Sequence, residues 1–193
     1  MLARIAALAA ALALAACGQN DESPRPDHSG GMLTIYGEIG VVDRGAVDHE
    51  VEPLFAAFDI HFSAAFVFRY AALKSLPQYE IRTDFPAGSD RRLFSGPLLR
   101  DVLAIAQVRG DTIRVTALDG YQREIEMSRI EAHDVIFAID YGGRPMDLGG
   151  FAPGMIVWPR ASDPALADMP DDDWVWGVFT LEAFTAQADP SAD

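Results

Sequence analysis

Cysteine is almost absent. The 193 residues hold one, at position 17. A single thiol excludes an internal disulfide, a cysteine-rich zinc site and an iron–sulfur cluster. Lysine is as scarce, with Lys74 alone, and Lys+Arg number 15 against 29 for Asp+Glu, a formal charge of −14. Without clustered cations the chain cannot neutralise a nucleic-acid backbone, nor dock electrostatically on anionic lipid. Long apolar runs are missing too. A helix needs about 20 apolar residues to cross roughly 30 Å of hydrocarbon, and the run from Ile5 to Ala16 has twelve. No GxSxG, P-loop or GxGxxG pattern occurs. What is present is a half-apolar chain with 23% charged residues. That composition describes one packed globule with room for a processed leader.

The leader is legible. Met1 to Arg4 is a short basic start, the twelve-residue run has the length of a signal-peptide core, and it ends Leu14-Ala15-Ala16-Cys17-Gly18. This resembles a bacterial lipobox, in which lipoprotein signal peptidase cuts before a cysteine carrying diacylglycerol on its sulfur. The resemblance implies lipidation of Cys17, which leaves the mature chain without a free thiol. Losing residues 1–16 also removes Arg4 and takes the charge from −14 to −15. So acidic a body needs acyl chains for membrane affinity, at about 0.8 kcal/mol per buried methylene. Gly18, in place of the Asp that retains lipoproteins at the inner membrane, leans towards the outer membrane. The expected location is therefore the cell envelope, facing the periplasm.

Residues 17–31, rich in Pro, Ser and Gly, read as a flexible tether, and a domain is expected over 32–185 with a frayed tail over 186–193. Alternation and β-branching predict strands over Met32–Ile39, Tyr79–Thr83, Thr112–Leu118, Tyr121–Met127, Asp134–Asp140, Gly154–Pro159 and Trp174–Ala183. Phe55, Phe58, Phe62 and Phe66 recur at helical spacing and predict a short helix or an irregular packed segment. Pro97 opens the clearest helix, with Leu98, Leu99, Val102, Leu103 and Ala106 on one face. Asp119-Gly120 is a two-residue hairpin signal. One clear helix among several strands, without βαβ alternation, predicts a mixed, strand-rich α+β fold.

Four stretches occur in a telling order: Ser95-Gly96-Pro97-Leu98-Leu99-Arg100-Asp101, then Ala117-Leu118-Asp119-Gly120-Tyr121, then Val135 to Ala138 with Gly143-Arg144-Pro145-Met146, then Gly149 to Pro159. In order and spacing they resemble the sulfite-oxidase-type molybdopterin-binding domain family. The resemblance covers Phe94 to Pro159 closely and implies a molybdopterin-binding-like α+β domain. It also implies what is missing. Family enzymes ligate molybdenum with a cysteine after the strand equivalent to Glu80–Thr83. Here Asp84-Phe85-Pro86 follows instead. Their arginine after the late Gly-x-Pro is Met155 here.

Candidate chemistry is thin. Asp84 is a carboxylate that could take a hard metal, though a solvated loop aspartate is the plainer reading. His28, His49, His61 and His133 show no ligand spacing; His61 reads as a core histidine among phenylalanines and His133 as a partner of Asp134. Asp171-Asp172-Asp173 lacks the ligand spacing of a calcium loop. The resemblance places Asp119, Tyr121, Arg144 and Trp158 on the cofactor side, where they would offer stacking surface and complementary charge. Two functions compete. One is a lipid-anchored accessory module binding a small ligand or an envelope protein, with no cofactor. The other is a molybdopterin-dependent oxidoreductase with a substitute metal ligand.

Overall fold

The computed structural model describes residues 30–187. The leader, Cys17, the tether up to residue 29 with His28, and residues 188–193 lie outside the described residues.

The first strand, β1 (Gly31–Gly37), buries four consecutive residues from Leu33 to Tyr36. Both of its faces are covered. Leu33 and Ile35 enter the main core, while Tyr36 enters a separate cluster with Ile60, Ala65 and Phe179. The phenylalanine-rich segment is not one helix. A single turn, α1 (Pro53–Ala57), gives way to Asp59 at φ 52 and then to β2 (Ala65–Arg69). Phe55, Phe58 and Phe62 pack on the Tyr36 cluster, so their spacing reflects one compact aromatic patch and not one helical face.

Next come α2 (Tyr70–Ser75), β3 (Tyr79–Thr83) and β4 (Arg92–Gly96). The helix expected from Pro97 starts later, as α3 (Leu99–Ile105), with Leu98 extended at its cap. Leu98 is held as a strand-like bridge to Ile136. The Pro97 and Val135 carbonyls accept from the Phe137 and Leu99 amides at 2.9 and 2.8 Å. A side chain at Gly96 would collide with the Phe137 carbonyl, so this close approach requires glycine.

The hairpin of β5 (Thr112–Ala117) and β6 (Gln122–Glu126) has a three-residue loop, not two. The Ala117 and Tyr121 positions close it at 2.9 Å, and within the loop only Gly120 has positive φ, +86. The strand expected to run to Met127 stops one residue early, because α4 (Met127–Ala132) begins there. The strand expected over Asp134–Asp140 is divided into β7 (Ile136–Ala138) and β8 (Asp140–Tyr141), which belong to different sheets; β9 (Arg144–Pro145), β10 (Met155–Val157) and β11 (Val178–Phe184) follow. Trp174 to Gly177 precede the last strand as irregular chain, with Gly177 at φ +68. Thr185, at the end of the expected domain, bonds Glu38, and Ala186, expected in the frayed tail, bonds Asp111.

Among the described residues the strands form a five-stranded mixed sheet in the order β2-β1-β11-β5-β6, a four-stranded antiparallel sheet β3-β4-β8-β9, and the pair β10-β7. β1 and β11 run parallel; the other pairs of the large sheet are antiparallel. Leu99, Val102 and Leu103 of α3, with Ala106 just past its end, join one core with Val115, Leu181 and the 135–139 run. The architecture is the strand-rich α+β fold. No helix of the described residues is long and apolar enough to cross a membrane.

Candidate functional site

The loop after β3 is closed by an ion network. Arg160, which follows β10 and is 6% exposed, reaches back to it. Its Nη2 donates to the Asp84 carbonyl at 2.9 Å and its Nη1 to Asp171 Oδ1 at 2.7 Å and the Met169 carbonyl at 2.8 Å; its Nε faces Asp84 Oδ1 at 3.3 Å. Asp84 Oδ2 accepts the Gly88 amide at 2.7 Å, and Asp171 accepts the Ala87 amide. The Gly88 amide first, and the nearby Arg160 charge, hold the Asp84 carboxyl below the usual range. The guanidinium carbon also lies 4.6 Å from the Trp174 ring centroid.

Beside this network is a small pocket of about 250 Å³. Asp119 and Tyr121 enter it from the β5–β6 hairpin, and Asp172, Trp174 and Trp176 from the segment before β11. Asp119 Oδ1 accepts the Tyr121 amide at 2.9 Å, which fixes the turn. The Tyr121 hydroxyl donates to the Asp172 carbonyl at 3.0 Å, which joins hairpin and segment. Phe85 stacks on Trp174 with ring centroids 5.5 Å apart and planes 15° from parallel. Tyr121 and Trp176 remain exposed.

The other expected site residues lie elsewhere. Arg144 lines a different cavity, of about 460 Å³, with Tyr141, Met146 and Phe151. Trp158 has no exposed surface; its Nε1 donates to the Asp173 carbonyl at 3.0 Å and Arg129 lies over its ring, so it is core. The structure thus brings Asp119 and Tyr121 into one pocket that neither Arg144 nor Trp158 lines. His61 is exposed, not core: it bonds Asp59 at 2.9 Å and packs on His49 at 4.5 Å. His133 turns from Asp134 to Asp163, at 2.6 Å, because Asp134 is taken by Arg100. That bond holds the Asp163 carboxyl below its usual range. No group of three His, Cys, Asp or Glu among the described residues is placed to hold a metal ion. A larger groove of about 700 Å³ runs along β2 and α2, walled by Phe66, Phe68, Leu76 and Ile105, with Asp43, Arg69 and Ser75 as its polar lining.

No family model matches the chain, and no curated protein matches it in sequence. Among solved structures, the sulfane dehydrogenase SoxCD from Paracoccus pantotrophus superposes with a TM-score of 0.53 at 15% identity. The chain resembles a sulfane dehydrogenase in fold. The likeness covers 80% of this chain and 38% of the other, so this chain spans well under half of its neighbour's length. It agrees with the molybdopterin-oxidoreductase-like fold that the ordered motifs imply.

The residues present do not fit a thiolate-ligated molybdenum centre. In the loop where the resemblance puts the ligating cysteine, Asp84 to Gly88 include none, and Asp84 has both carboxylate oxygens engaged by the chain itself. Oxygen donors are hard, and the soft thiolate that such a centre uses is missing from the loop.

Sequence reasoning missed Arg160, Trp174 and Trp176. The signal for Arg160 was its place directly after the hydrophobic strand and Pro159. The signal for the tryptophans was Trp-Val-Trp beside three aspartates, which reads as a strand unless the acidic neighbours are weighed.

Proposed function

We propose that the protein is a lipid-anchored cell-envelope module that keeps a molybdopterin-oxidoreductase-like scaffold for binding and performs no redox chemistry itself. One observation carries the reading. The Asp84 loop, where family enzymes hold their metal, is instead pinned shut by Arg160 through Asp84, Met169 and Asp171. The acidity of the chain supports it, since a charge of −14 opposes a dianionic pterin phosphate. The recognition surface is the Asp119–Tyr121 pocket, facing a small ligand or an envelope partner.

Two experiments test the reading. Protein purified from a host that makes molybdopterin should turn over neither sulfite nor sulfoxide; turnover lost in Asp84→Ala would favour the oxidoreductase with Asp84 as substitute ligand. Lipid anchoring rests on the lipobox. Cys17→Ser should accumulate uncleaved precursor, as should inhibition of signal peptidase II, and release of a mature soluble form in both would refute the anchor.

A further inference from the structure

We propose that the pocket between the β5–β6 hairpin and residues 171–176 binds a small organic ammonium ion, of the quaternary or methylated-amine class. This rests on the binding-module reading and names its ligand. Tyr121 and Trp176 stand 45% and 43% exposed at the pocket, with Phe85 and the buried Trp174 behind them. Asp119, Asp171 and Asp172 are its charged side chains, and no Lys, Arg or His lines it. Asp171 is neutralised by Arg160. Asp172 is exposed and gives its backbone carbonyl to Tyr121; its carboxylate makes no hydrogen bond to the pocket walls, feels the charge of Arg123, and is the one to meet a ligand. Aromatic walls with carboxylates, and no cation among the lining residues, suit one ligand chemistry; Arg160 lies over the Trp174 ring but is neutralised by Asp84 and Asp171. A methylated ammonium cannot form a full set of hydrogen bonds, sheds water readily, and is attracted by aromatic faces. A bare metal ion would instead need several converging oxygens, and here Asp119 and Asp171 each hold a backbone amide.

The size agrees. About 250 Å³ lies below the roughly 300–1,000 Å³ of drug-sized sites and suits a ligand of a few heavy atoms. The walls are preformed by the Tyr121–Asp172 bond and the Phe85–Trp174 stack, so little ordering is needed on binding. The field of an acidic chain raises the local concentration of cations.

The test titrates the full mature protein with choline, read by tryptophan fluorescence and calorimetry, with 3,3-dimethylbutanol as a neutral control of the same shape. Saturable choline binding is expected, with the neutral control at least about 5-fold weaker. Trp176→Ala and Asp172→Asn, both at exposed positions, should each weaken choline by about 5–30-fold with an unchanged circular dichroism spectrum. Competition by short-chain phosphatidylcholine would identify a lipid headgroup as the source, and its absence a free solute. No saturable signal at tens of millimolar choline, equal binding of the neutral control, or full affinity in both variants would overturn the proposal. The module reading fails separately, on molybdenum bound to the protein.

Discussion

Asp173 is a buried carboxylate held by two arginines. It is 6% exposed and takes Arg123 at 2.9 Å and Arg129 at 2.7 Å, both from the β6–α4 side. The arginines are themselves about 40% exposed. The two halves of the network are therefore not equivalent. Replacing both arginines by Met strands a buried carboxylate and should cost about 3–5 kcal/mol in urea melts. Asp173→Asn frees arginines that can turn to solvent, and should cost clearly less. Asp84 gives the pH dependence. Its folded pKa lies below the unfolded value of about 3.9, so its contribution is complete above that pH and is lost as pH falls through the folded value. Asp84→Asn should flatten the fall of Tm below about pH 4. An unchanged acid slope would mean that the Gly88 and Arg160 contacts are not formed in solution.

The elements were legible in the sequence where one period covers one environment. β3 falls at Tyr79–Thr83 as its alternation predicts, and α3 buries Leu99, Val102 and Leu103 as its spacing predicts. Errors arose where a segment serves two environments. Val135 to Ile139 are uniformly apolar, and only the surrounding sheets decide that the run breaks between β7 and β8. The phenylalanines at 55, 58 and 62 pack on a satellite cluster that includes Tyr36 and Phe179, both far away in the chain. The site divided in the same way. Asp119 and Tyr121 share a hairpin and stayed together, whereas Arg144 and Trp158 were joined to them only by order of motifs. Helix α3 offers a direct check. Leu99→Ala should cost about 2–5 kcal/mol, because Leu99 has no exposed surface. Arg100→Ala removes a partly exposed pair with Asp134 and should cost about 1 kcal/mol or less. Equal losses would mean that the buried face of α3 is wrongly assigned.

At the scale of the whole molecule, fold and chemistry part company. The strand order, the hairpin and the α3 crossing build a scaffold that resembles an oxidoreductase, at 15% identity to a chain more than twice the matched length. A scaffold does not carry a reaction; the site does. Here the loop after β3 is tied by Arg160, its carboxylate is engaged, and the chain's one cysteine, Cys17, is distant from it in sequence. The most direct measurement is the molybdenum-to-protein ratio of the mature protein purified from a molybdopterin-making host. The account predicts less than about a tenth of stoichiometric metal, because oxygen donors and an anionic field replace the thiolate. A ratio near one would contradict it and identify the chain as an oxidoreductase that holds molybdenum without a cysteine.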